Sequence, residues 1–141
     1  MRIVLDTNIY IAAALQGQLS EEIIQISITK NIFTLLVSEE ILAELQKKLQ
    51  NKFKWLDKDV DRFLLKIIKN AEIVEITENV TIVSRDPEDN KILECALSGK
   101  ADLIVTADQD LIKLKTFKGI GIVHPKTLSW TFPKYFKKHK S

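Results

Sequence analysis

Short unbroken apolar runs alternate along the chain with longer stretches of helical periodicity. Arg2-Ile3-Val4-Leu5 stops at the polar Asp6-Thr7-Asn8, and Ile9 to Leu15 then reads as buried helix. After a loop at Gln16-Gly17-Gln18, Ser20 is placed to cap a helix carrying Ile23, Ile24, Ile26 and Ile28. Phe33 to Val37 predicts a second buried strand. Ser38 then caps a helix with Ile41, Leu42, Leu45 and Leu49, and Phe63, Leu64, Ile67 and Ile68 mark another from about Asp59 to Lys69. Ile73 to Ile76 and Thr81 to Val83 are strand-like. Asp86 is the cap candidate of a helix reaching Leu97, with Pro87 at its first position and Glu88 and Asp89 at the positive end of its dipole. Ala101 to Thr106 and Ile120 to Val123 are the last strands, the latter ending at His124-Pro125. Strands alternating with helices predict an α/β fold of three layers, α/β/α, around a mainly parallel sheet of about five strands.

Composition sharpens this. At 141 residues, 45% hydrophobic and 28% charged, the chain is expected to form one domain over residues 1–141. A domain of this size buries roughly 70% of its unfolded surface and needs no disulfide. Cys95 is the only cysteine, which excludes a disulfide framework and reads as a small buried residue. Ile3 to Leu5 is too short for a signal-peptide core, and no run approaches the roughly 18 apolar residues of a membrane span, so a cytoplasmic protein is expected. The four glycines form no phosphate-binding loop.

The net charge of +2 hides a segregation. From Leu111 to Ser141 there are eight lysines and no acid, whereas Ala71 to Asp110 holds ten acids against Arg85, Lys91 and Lys100. The basic segment from about 124 to 141 interleaves Trp130, Phe132, Tyr135 and Phe136 with Lys134, Lys137, Lys138 and Lys140. That pattern suits nucleic-acid contact, and equally a solvated tail whose aromatics pack on the body.

The acids fall at telling places. Ligands of open parallel sheets bind outside the carboxyl ends of the strands. Asp6 follows the first strand, and Thr106, Asp108 and Asp110 follow Leu103-Ile104-Val105. Asp89 precedes Ile92 and Leu93 by three and four residues, on their helix face, whereas Glu88 and Glu94 lie off that stripe and read as solvated. Glu39 and Glu44 both border the stripe of their helix, and helical geometry does not separate them. One such acid is commonly a cap. Several on one edge repel one another unless a pKa shifts or a cation binds, and oxygen donors without His or Cys select hard ions such as Mg²⁺ or Mn²⁺.

Four segments in order, Ile3-Val4-Leu5-Asp6-Thr7-Asn8, Ser38 to Leu45, Asp86 to Leu93 and Leu103 to Leu111, resemble the PIN-domain nucleases, in particular the small VapC-like prokaryotic toxins of toxin–antitoxin pairs. The resemblance runs from Arg2 to about Val123. It implies metal-binding, catalytic acids at Asp6, Glu44, Asp89 and Asp108, with Asn8, Thr106 and Asp110 in support. It further implies metal-dependent hydrolysis of RNA phosphodiesters, a cognate antitoxin, and a homodimer or antitoxin clamp on apolar helices between Ile23 and Leu65. Asn90 departs from the family, where close relatives often carry another acid. Two rival readings make different demands on the same residues. A non-catalytic PIN-like RNA-binding or regulatory module predicts broken acid positions, and none of the four is broken. An aspartyl phosphatase of the haloacid-dehalogenase type needs an acid–base aspartate where Asn8 stands. Spacing identifies no partner for His124 or His139, and Trp55, near Phe53, reads as an interface or cover residue.

Overall fold

A computed structural model describes residues 1–81 and 87–137. Strand β1 (Arg2–Leu5) lies inside a six-stranded sheet, parallel to β2 (Thr34–Val37) on one side and to β4 (Leu103–Val105) on the other. Beyond β2 runs β3 (Ala71–Ile73), and beyond β4 runs β6 (Ile120–Val123), both parallel to their neighbours. The edge strand β5 (Thr116–Phe117) is antiparallel to β6. Ile3, Val4 and Leu5 are all fully buried, as a continuous apolar run must be when both faces of a parallel strand are covered. The expected α/β architecture with its mainly parallel sheet is therefore present.

The helices are α1 (Thr7–Ala14), α2 (Gln18–Thr29), α3 (Glu39–Asn51), α4 (Asp57–Asn70), α5 (Pro87–Ser98), α6 (Gln109–Ile112) and α7 (Pro125–Thr131). Ser38 caps α3 as expected, its hydroxyl accepting from the Ile41 N–H at 3.2 Å. Ile41, Leu45 and Leu49 form the buried stripe of α3, and Val60 and Ile67 that of α4.

Several expectations need correction. Beside the expected strands the sheet carries the short edge strand β5, because Lys118 (φ 47°) and Gly119 (φ 84°) both adopt left-handed conformations and turn a hairpin between β5 and β6. Ser20 is not a cap. Helix α2 begins earlier, with Gly17 as its N-cap, and Ser20 is buried inside it. Gly17 permits the tight entry: a Cβ there would stand 2.8 Å from the Ala12 carbonyl oxygen. The third strand lies at Ala71–Ile73 rather than Ile73–Ile76, because its partner β2 ends at Val37, whose carbonyl accepts from the Val74 N–H at 2.7 Å. Thr81 is in no strand, and Ile82, Val83 and the cap candidate Asp86 lie outside the described residues. Among the described residues no helix is long and apolar enough to cross a membrane.

Candidate functional site

From β1 the chain proceeds outward to β2 and β3, then returns to the other side of β1 to place β4. The boundary between β1 and β4 is thus the switch point at which an open parallel sheet binds ligands. Leu5 is in register with Val105, and Val105 with Val123. Asp6, Thr106 and His124 therefore leave three adjacent strands side by side, each roughly 4.8 Å from the next.

Asp6 occupies the N-cap position of α1 yet makes no side-chain cap bond. Instead its Oδ2 accepts from the Thr106 hydroxyl at 2.7 Å, and that hydroxyl accepts in turn from the Asp108 N–H at 3.0 Å. One fully buried hydroxyl thus ties the end of β1 to the loop after β4. Asp6 is 7% exposed. Burial pushes its carboxyl above the ordinary range, the Thr106 bond and the nearby Asn8 amide oppose this, Asp108 adds to it and Lys48 relieves it.

Asp108 caps α6, accepting from the Asp110 N–H at 2.8 Å, and Asp110 itself is exposed. Asp89 is 4% exposed at the start of α5. The structure separates Glu44 from Glu39. Glu39 is exposed, whereas the Glu44 side chain is 12% exposed with its Oε2 3.6 Å from Lys91 Nζ. A hydrogen bond shared with Glu88 holds Glu44 below the ordinary carboxylate range, and Lys91, Lys48 and Lys47 assist.

Three participants escaped the sequence reading: Lys48, Lys91 and Glu88. Glu88, expected to be solvated, is partly exposed and also paired, its Oε2 accepting from Lys48 Nζ at 2.8 Å. The same ammonium reaches Asn8 Oδ1 at 3.4 Å, which shows that α3 passes across the carboxyl edge of the sheet. The available signal was the spacing of Glu44 and Lys48, four residues apart on one helix.

The chemistry of the donors suits a hard divalent cation: four carboxylates and the Thr106 hydroxyl, with the Asn90 amide oxygen, next in sequence to Asp89, buried without a hydrogen-bond partner among the described residues. These oxygens are not drawn together as they stand. Among the described residues no three acids, histidines or cysteines form a ready metal-binding group. Lys91 and Lys48 pair with Glu44 and Glu88.

The basic end of the chain lies elsewhere. Phe132 packs edge-on against Phe33 at 5.2 Å, just before β2, and the Lys137 N–H donates to Glu22 Oε2 on α2. Phe136 is buried, and of this segment's aromatic side chains Trp130 alone stands well out of the surface. The segment carrying Lys134 and Lys137 thus sits by the amino edge of the sheet, opposite Asp6, and Lys138, His139 and Lys140 lie outside the described residues. His124 Nδ1 accepts from the Lys126 N–H at 3.0 Å and caps α7. Trp55 packs edge-on against Phe63 and lines a cavity of about 570 Å³ with Leu56, Arg62 and Lys66. The apolar exposure expected between Ile23 and Leu65 falls on Leu56 and Leu65, since Ile23, Ile24 and Ile26 are buried.

No curated protein sequence matches the chain. In fold it resembles a chain in the crystal structure of VapBC2 from Rickettsia felis bound to a DNA fragment from their promoter, with a TM-score of 0.60 and 20% identity over 88% of this chain and 98% of that one. A family model described as the PIN domain matches residues 2–110, most of the sequence, and the chain accordingly belongs to the PIN-domain family.

Proposed function

We propose that the chain is a metal-dependent ribonuclease and the toxin of a toxin–antitoxin pair. The observation that carries this reading is Asp6, a buried carboxylate at the switch point, tied by the Thr106 hydroxyl to the loop that carries Asp108. Asp6, Glu44, Asp89 and Asp108 would hold Mg²⁺ or Mn²⁺, with Asn8, Thr106 and Asp110 in support. A divalent ion there supplies Lewis acidity toward a phosphodiester and its attacking water. The Thr106 hydroxyl and the Asn8 N–H together keep Asp6 in one orientation at the edge. The protein environment also keeps phosphate out until cations are present, because the edge is acidic.

Residues 1–141 are read as one PIN-like unit working in the cytoplasm, with the segment from about 124 onward as its basic end. Lys134, Lys137, Lys138 and Lys140 are assigned to flanking nucleic acid by their charge alone, since the segment carrying the first two sits at the edge opposite Asp6. Leu56, Leu65 and Ile68, exposed on and beside α4, offer an apolar surface for a homodimer or a cognate antitoxin. The VapBC2 likeness supports the toxin reading at the level of fold.

Cleavage of mixed single-stranded RNA in Mg²⁺ or Mn²⁺ tests the proposal, with Asp6→Asn and chelator as controls. Wild type is expected to cleave, and both controls to abolish cleavage. Equal cleavage by wild type and Asp6→Asn, or none by folded wild type on several RNAs, overturns it. The rival reading, a non-catalytic RNA-binding or regulatory module, predicts RNA binding without cleavage under every metal condition.

A further inference from the structure

We propose that Lys48 is the resident counter-cation of the acid edge and competes with the divalent ion, which must displace its ammonium in order to bind. The inference rests on the metal site proposed above. The Lys48 side chain is only 23% exposed. Its Nζ lies 2.8 Å from Glu88 Oε2 and 3.4 Å from Asn8 Oδ1, bridging α3, the start of α5 and the start of α1.

Lys91 answers from α5, 3.6 Å from Glu44 of α3. Each helix thus lends a lysine to a glutamate of the other. Partial burial draws the Lys48 pKa down, but the Glu88 bond and charge, followed by Glu44 and Asp6, outweigh it and keep the ammonium charged. The acids repel one another, and this pairing relieves them without the convergence an ion requires. Removing the ammonium acts twice in the same direction: it takes away a competitor for the carboxylates, and it leaves their charge uncompensated. Both raise the affinity for a divalent cation.

The test is calorimetric titration of Mn²⁺ into metal-stripped wild type, Lys48→Gln, Lys48→Met and Lys48→Arg, each repeated with Asp6→Asn to identify the site. Lys48→Gln and Lys48→Met are expected to bind Mn²⁺ at least about fivefold more tightly than wild type, a coupling of ordinary size. Lys48→Arg should stay near wild type. The metal-free melting temperature of the Gln and Met variants should fall, and Mn²⁺ should raise it further than it raises that of wild type. Lys48→Gln reports if Lys48→Met fails to fold. Asp6-dependent binding to wild type with no tightening in Lys48→Gln overturns the role of Lys48 and leaves the metal site standing. Binding to neither overturns both, and binding to Lys48→Gln alone supports the role of Lys48 in its strongest form.

Discussion

The Thr106 hydroxyl donates to Asp6 Oδ2 at 2.7 Å while accepting from the Asp108 N–H at 3.0 Å, so a single buried oxygen joins the two acids that follow β1 and β4. Replacing it with Thr106→Val strands a buried carboxylate oxygen and a backbone donor. The expected loss is roughly 1–3 kcal/mol, read by urea denaturation, whereas Thr106→Ser retains most of the stability. A Thr106→Val variant as stable as wild type would show that the bond contributes nothing net.

Asp6 sets a pH dependence in the metal-free chain. Its folded pKa is raised, chiefly by burial, so between the ordinary carboxylate value and the raised value the folded state holds more protons than the unfolded one. The contribution of Asp6 to stability therefore falls as pH rises through that window and stays low above it. Asp6→Asn should melt several degrees above wild type near pH ~7 in chelator, and the difference should vanish near pH ~3, below both values. Thermal melts across this range provide the check.

Tyr10 is fully buried, and its hydroxyl has no hydrogen-bond partner among the described residues. Tyr10→Phe removes a desolvated polar group and leaves the ring in place. Stability is expected to be unchanged or to rise by up to about 1 kcal/mol, measured by denaturant midpoint. A clear loss would reveal a partner for that hydroxyl.

Cys95 is fully buried on α5, and burial pushes its thiol up to about 12, with the Ser38 hydroxyl opposing. Thiolate is the reactive form, so Cys95 should resist alkylation at neutral pH in the folded chain and react fully in denaturant. Mass spectrometry before and after unfolding distinguishes the two. Fast labelling of the native protein would contradict this burial.

Legibility in the sequence followed the range of the interactions. Ser38, a local cap, was readable from three residues, and the apolar runs of β1 and β4 were readable from their own length. Asp6 and Asp108 were visible as acids at strand ends for the same reason. The hairpin at Lys118-Gly119 and the early start of α2 were missed because each rests on a left-handed or unusually close backbone.

Local physics, the alternation of strand and helix and the placing of acids after strands, was thus determined by the sequence on its own. Only the tertiary structure decided that Glu44 rather than Glu39 turns inward, that Lys48 stands among the acids, and that the basic end packs at the opposite edge. Periodicity reports which face of a helix is buried. Which residues of other elements meet that face depends on how α3 crosses the sheet edge, a relation among segments some forty residues apart for Lys48 and its partners Asn8 and Glu88.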